Sequence, residues 1–187
     1  MVHLIYDCFQ WFNYYLTKGI MDRGYDVIGI DPLSTPLSEH LYMYVARNSS
    51  FQHFYNQEDM DRHTQSPNIK CTCWMQDQTI YFQSNEEDCQ TLQKIALPPL
   101  YGEWMPLPSQ EYTSLKDALH QLVTSDGSFY VEDFVDQLLA NIDKKDFSSP
   151  VESTVEQSEN EKEMVAKLID HYHNYSWLLE EHQQNKA

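Results

Sequence analysis

The chain has 187 residues, 29 of them acidic and 12 basic, for a formal net charge of −17. This length suits one domain with an appendage, and a content of 41% hydrophobic and 13% aromatic residues excludes a disordered chain. The negative field disfavours nucleic acid and anionic membranes and favours basic partners, and no apolar run approaches the ~20 residues of a membrane span.

The opening MVHLIYDCFQW lacks the basic region and small-residue cleavage site of a signal peptide. The four cysteines (Cys8, Cys71, Cys73 and Cys89) follow no disulfide-framework spacing. Both features lead to the expectation of a cytoplasmic protein with reduced thiols.

In chain order, residues 2–6 (VHLIY) read as a short strand. From Phe12 to Arg23 the apolar residues Phe12, Tyr15, Leu16, Ile20 and Met21 recur at helical spacing, and Gly24 falls where a helix end wants positive φ. Residues 25–30 (YDVIGI) form a buried, β-branched strand. Together these make a β-α-β unit. After Asp31-Pro32 comes a polar, partly helical stretch to residue 50. FQHFY at 51–55, IKCTCWM at 69–75 and TIYFQ at 79–83 follow as three further strands. Prolines 98, 99, 106 and 108 make 98–109 an irregular loop. Helices are predicted over Ser114–Val123 and Val131–Ile142, with a polar linker at 146–160 and a last amphipathic helix at 161–182.

Several segments resemble, in the right order, the extended short-chain dehydrogenases/reductases, specifically the NAD-dependent nucleotide-sugar epimerases and dehydratases. LIYDCFQWFNYYL is similar to the first strand and cofactor loop, and RGYDVIGIDPLS to the helix end and second strand. FQHFYNQEDMDR is similar to the third-strand region and LYGEWMPLP to the family's VYG stretch. EYTSLKDALHQL matches its Tyr-x-x-x-Lys helix, and GSFYVEDFVDQLLANID its late F-x-Y-V-x-D segment. The resemblance implies an α/β fold, a Rossmann-like parallel sheet flanked by helices. It also implies Tyr112 and Lys116 as the catalytic pair, Asp31 as the acid for the adenosine ribose and Asp59 as the adenine-side contact.

The departures carry the functional expectation. At the three glycines of the family's G-x-x-G-x-x-G stand Asp7, Gln10 and Asn13. Those glycines allow the tight turn, the approach of backbone to pyrophosphate and the close packing of helix on strand. A carboxylate ~4 Å from a phosphate costs about 4 kcal/mol at an effective dielectric of ~20, whereas the helix dipole returns about 0.3–1 kcal/mol. Repulsion wins, and Phe9, Trp11 and Phe12 are bulky enough to plug the groove. Pro98-Pro99 replace the expected active-site hydroxyl. Only DALHQLVTSD separates Lys116 from GSFYVEDF, where the family builds most of its sugar-nucleotide pocket. A second Tyr-x-x-x-Lys, Tyr14 to Lys18, lies in the first helix and shows how weak that spacing is alone.

His53, His63, Cys71, Cys73 and Cys89 lack zinc-site spacing and read as core cysteines and surface histidines, so no metal is expected. The expected organisation is a reduced Rossmann-like domain over 1–145, a linker over 146–160 and a C-terminal helix over 161–187. The expected function is that of a non-catalytic, epimerase-like pseudoenzyme without cofactor. It would act on a protein partner, itself basic or nucleic-acid-binding, as an acidic inhibitor or regulator. Glu132 and Asp136 are candidate partner contacts. So are Val165, Leu168, Ile169 and Tyr172, if the last helix pairs with a second copy or another protein instead of covering its own domain. The alternatives are an active NAD-dependent epimerase or reductase with an atypical loop, and a nucleotide sensor without chemistry.

Overall fold

The structure is a computed structural model that describes residues 2–64, 68–85, 91–106, 114–143 and 161–184. The chain divides into two compact units, Met1–Leu97 and Pro98–Ala187. This partition differs from the expected domain over 1–145: the sheet of the first unit ends immediately before Leu97. The expected linker at 146–160 lies outside the described residues.

The first unit runs β1 (Val2–Tyr6), α1 (Trp11–Asp22), β2 (Asp26–Ile30), α2 (Pro36–Val45), β3 (Phe51–Phe54), α3 (Gln57–His63), β4 (Ile69–Gln76), β5 (Thr79–Ser84) and β6 (Leu92–Ala96). Its six strands are ordered β3-β2-β1-β4-β5-β6. The β3-β2-β1-β4 half is parallel throughout, the strand order of a doubly wound α/β fold. Beyond β4 the sheet turns antiparallel, so the expected parallel sheet is a mostly parallel, mixed one. The change of direction is local: Gln76 pairs with Thr79, and the two residues between them, Asp77 and Gln78, both take positive φ (46° and 57°), as a tight hairpin turn requires.

The sequence sets the ends of these elements. Gly24, at φ +79°, closes α1 and donates its N–H to the Met21 carbonyl at 2.8 Å. Thr35 and Ser38 form a reciprocal cap at the start of α2, with Pro36 in the first turn. Leu4, Ile28, Ile30, Phe54 and Met60 make one buried cluster. At Gly29 a Cβ would lie 2.6 Å from Cys8 Sγ and 2.9 Å from the Phe51 ring, so only glycine lets the loop after β1 approach β2 this closely.

The second unit holds β7 (Leu100–Tyr101), α4 (Leu115–Thr124), β8 (Phe129–Tyr130), α5 (Val131–Asp143) and α6 (Glu161–Gln184). β7 and β8 pair in parallel, and α6 packs along α4. Val165, Leu168 and Tyr172 are buried in α6, and the Tyr172 hydroxyl donates to the Met105 carbonyl at 2.9 Å. This corrects the expectation that these residues form a partner surface: their apolar stripe is spent on the core, and only Ile169 stays half-buried. Among the described residues no helix is long and apolar enough to cross a membrane.

Candidate functional site

The loop between β1 and α1, residues 7–10, stands where the resemblance puts a dinucleotide phosphate. Asp7, at the position the resemblance gives to the first glycine, has φ +49°. The backbone takes a left-handed turn here that glycine adopts without cost and Asp tolerates. Gln10 N–H donates to the Asp7 carbonyl at 2.9 Å and closes the turn. Gln10 itself is exposed at the N-cap of α1, and its side chain makes no capping bond.

Inside the turn, side chains and a carboxylate occupy the space. Phe9 is 2% exposed, and its ring meets Tyr42, Phe51 and His53 at centroid distances of 5.8, 5.9 and 5.8 Å. Phe12 is fully buried and Trp11 half-buried. The Phe9 N–H donates to Asp31 Oδ2 at 3.0 Å, and the Leu33 N–H donates to Asp31 Oδ1 at 2.9 Å. Asp31, the residue the resemblance assigns to a ribose, is buried and engages both carboxylate oxygens with backbone amides of its own unit. An internal anion thus sits on a loop amide.

Asn13, at the position the resemblance gives to the third glycine, is 1% exposed. Its Nδ2 donates to the carbonyls of Tyr6 and Asp7, both at 3.1 Å, stitching α1 to the end of β1. A side-chain clamp stands where a glycine would allow close backbone packing. The electrostatics agree: burial, then the neighbouring Asp31, pushes the Asp7 carboxyl up, and the same two causes push the Cys8 thiol well up. A phosphate dianion added here would meet two carboxylates.

Asp59 belongs to the first turn of α3. Its N–H donates to the Asn56 cap at 2.8 Å, and its carboxylate lies 3.3 Å from His63 Nδ1. Lys116 is exposed on α4, and Tyr112 lies outside the described residues. Glu132 is half-buried and Asp136 exposed on α5. Among the described residues no group of three or more His, Cys, Asp or Glu side chains is placed to hold a metal ion.

A tyrosine and a lysine do meet in the second unit, but they are other residues. Lys167 Nζ lies 3.4 Å from the Tyr130 hydroxyl and 2.7 Å from Glu103 Oε1, and that hydroxyl donates to Glu103 Oε2 at 2.7 Å. Burial raises the Glu103 carboxyl, but hydrogen bonds from Lys167 and Tyr130 outweigh it and hold Glu103 low. Tyr130 is driven far up, by burial first and by Glu103 next. A proton-transferring tyrosine needs the opposite shift. This trio is a clamp joining the segment after β7, β8 and α6. Sequence reading missed it because its members are 27 and 37 positions apart.

Comparison with known proteins returns no match: no family model, no curated protein and no solved structure.

Proposed function

We propose that this chain is a non-catalytic, epimerase-like protein that binds no dinucleotide and acts through contacts with other proteins. The observation that carries the reading is the Asp31 carboxylate on the Phe9 amide, with Phe9 packed into the same turn. A loop whose amide and space are already taken offers a phosphate neither. The contact surface is the acidic face of α5, centred on Glu132 and Asp136, and its partner is basic or itself nucleic-acid-binding. Burial, then Asp136 and Glu132, raises the Asp133 carboxyl, so these like charges repel one another and a cationic partner relieves that repulsion. Exposed Met43, Tyr44 and Tyr55 (64, 55 and 57%) supply apolar area on the first unit.

Two measurements test this together. Calorimetry of the purified chain with NAD(H) should show no saturable heat at millimolar ligand; micromolar affinity would restore the dinucleotide enzyme. Pull-down from the native host should lose a partner when Glu132→Lys and Asp136→Lys are combined. Retention of every partner by the folded double variant would remove the acidic face from the reading.

A further inference from the structure

Cys71 and Cys73 are two apart on β4 and so share one face of the sheet, with their Sγ atoms 3.8 Å apart. His3 joins them on that face. In the parallel pairing of β1 with β4, His3 is the partner of Cys71 and Ile5 of Cys73. A register shift between Val2 and His3 sets this pairing, by placing Lys70 as an extra residue on β4. Cys73 is fully buried, Cys71 is half-buried, and the buried His3 has no hydrogen-bond partner for Nε2 among the described residues. Cys8, Cys71 and Cys73 are all free thiols.

The two sulfurs are not equivalent. The hydrogen bond between the two sulfurs lowers the Cys71 thiol to about 6 against the opposing effect of burial, with His3 adding to the lowering. Cys73 is pushed well up by the same contact and by its burial. The half-buried sulfur is thus the one favoured to ionise, and its fully buried neighbour the one held protonated. Attacking and resolving thiols divide their roles in this way.

We propose that Cys71 and Cys73 form a thiol–disulfide exchange site for low-molecular-weight aliphatic disulfides, with Cys71 attacking and Cys73 resolving. The Cys71 thiolate attacks one sulfur of R–S–S–R, forming a Cys71–S–S–R bond and expelling RS⁻. Cys73 then gives up its proton and attacks Cys71 Sγ, forming the Cys71–Cys73 disulfide and expelling the second RS⁻. Both leaving thiolates take up the protons released by the two cysteines. The protein dithiol is oxidised by two electrons, and the small disulfide is reduced to two thiols. Two strand positions span about 6.6 Å, at the upper end of what a disulfide bridges, so the product is easily reduced and the reaction reversible.

The test uses the full-length wild-type chain first. Alkylation by iodoacetamide is followed at each cysteine by peptide mass mapping, at pH 8 and pH 6. A thiol titrating at about 6 loses only about twofold in rate between these values, whereas an ordinary thiol near 8.5 loses about 75-fold. The ratio is independent of how accessible the sulfur is. Incubation with oxidised glutathione should then remove two hydrogens from the peptide carrying Cys71 and Cys73. Folded Cys73→Ser, which keeps a hydroxyl donor beside Cys71 but cannot resolve, should accumulate a glutathione mixed disulfide on Cys71, and Cys71→Ser should leave Cys73 unmodified. A 75-fold fall in Cys71 alkylation would overturn the proposal without recourse to any variant. So would a disulfide that maps to Cys8 or Cys89.

Discussion

Asp7 combines left-handed backbone with a charge close to another charge. The residue reaches solvent, but its carboxyl is partly desolvated and faces Asp31, and its pKa is raised above the ordinary value. For an acid with a raised folded-state value, the ionised form costs stability. That cost is full above the folded value and vanishes once folded and unfolded chains are both protonated. Asp7→Asn keeps a residue that tolerates φ +49° and removes only the charge. It should raise the Tm by about 1–2 °C at pH 7, corresponding to at most about 0.5 kcal/mol, and leave it unchanged below about pH 3.5. Thermal melts at the two pH values check this; equal shifts at both would mean that charge is not the cause. That Asp7, Gln10 and Asn13 stand at the positions the resemblance gives to glycine was legible in the sequence, because that spacing has a known physical purpose. That Asp31 would reach back to the Phe9 amide, 22 residues away, was not, since no local pattern encodes that contact.

Elements with dense apolar periodicity were equally legible. β1, α1 and β2 carry β-branched or helically spaced apolar residues and lie within a residue or so of their predicted ends. α3 and β6 escaped for opposite reasons. QEDMDRH buries only Met60 and owes its start to the Asn56 cap, so it has no apolar stripe to detect. LQKIA is an edge strand whose hydrogen bonds come from β5, and its Leu92 is half exposed to solvent. For α6 the stripe was visible but its destination was not. With Leu168 fully buried, Leu168→Ala should cost about 2–5 kcal/mol, a fall in Tm of roughly 4–20 °C, with no change of mass in solution. Scattering and a melt on the same sample decide it: an unaltered melt with an altered mass would return the helix to a partner surface.

At the scale of the whole molecule, the −17 charge was readable from composition alone, whereas the division at Leu97 and Pro98 was not. The prolines at 98 and 99 mark it only once β6 is known to complete the sheet just before them; in sequence they resemble an ordinary loop. The charge also sharpens the test of the acidic face of α5. Contacts between exposed charges weaken as the Debye length falls from ~10 Å at 0.1 M salt to ~3 Å at 1 M. The partner lost through Glu132→Lys and Asp136→Lys should therefore also elute with salt from the unaltered chain. A partner that resists 1 M salt is held by apolar contacts instead.

The register shift between Val2 and His3 has a bearing on which changes of length the chain can absorb. Removing one residue from a strand ordinarily turns every later side chain to the opposite face of its sheet. Lys70 is already the surplus residue between the pairs Val2–Ile69 and His3–Cys71, so its removal would make the β1–β4 ladder continuous without inverting anything beyond it. Its removal takes away the bond that the Asn85 N–H donates to the Lys70 carbonyl at 2.9 Å. A chain lacking Lys70 should fold with a Tm within a few degrees of the parent, whereas one lacking Thr72 should not fold. Circular dichroism melts of the two deletions compare them directly, and equal damage would mean that the β4 register is not what the extra residue protects. If the deletion behaves this way, β4 carries a place where the gene can lose a codon and keep the sheet.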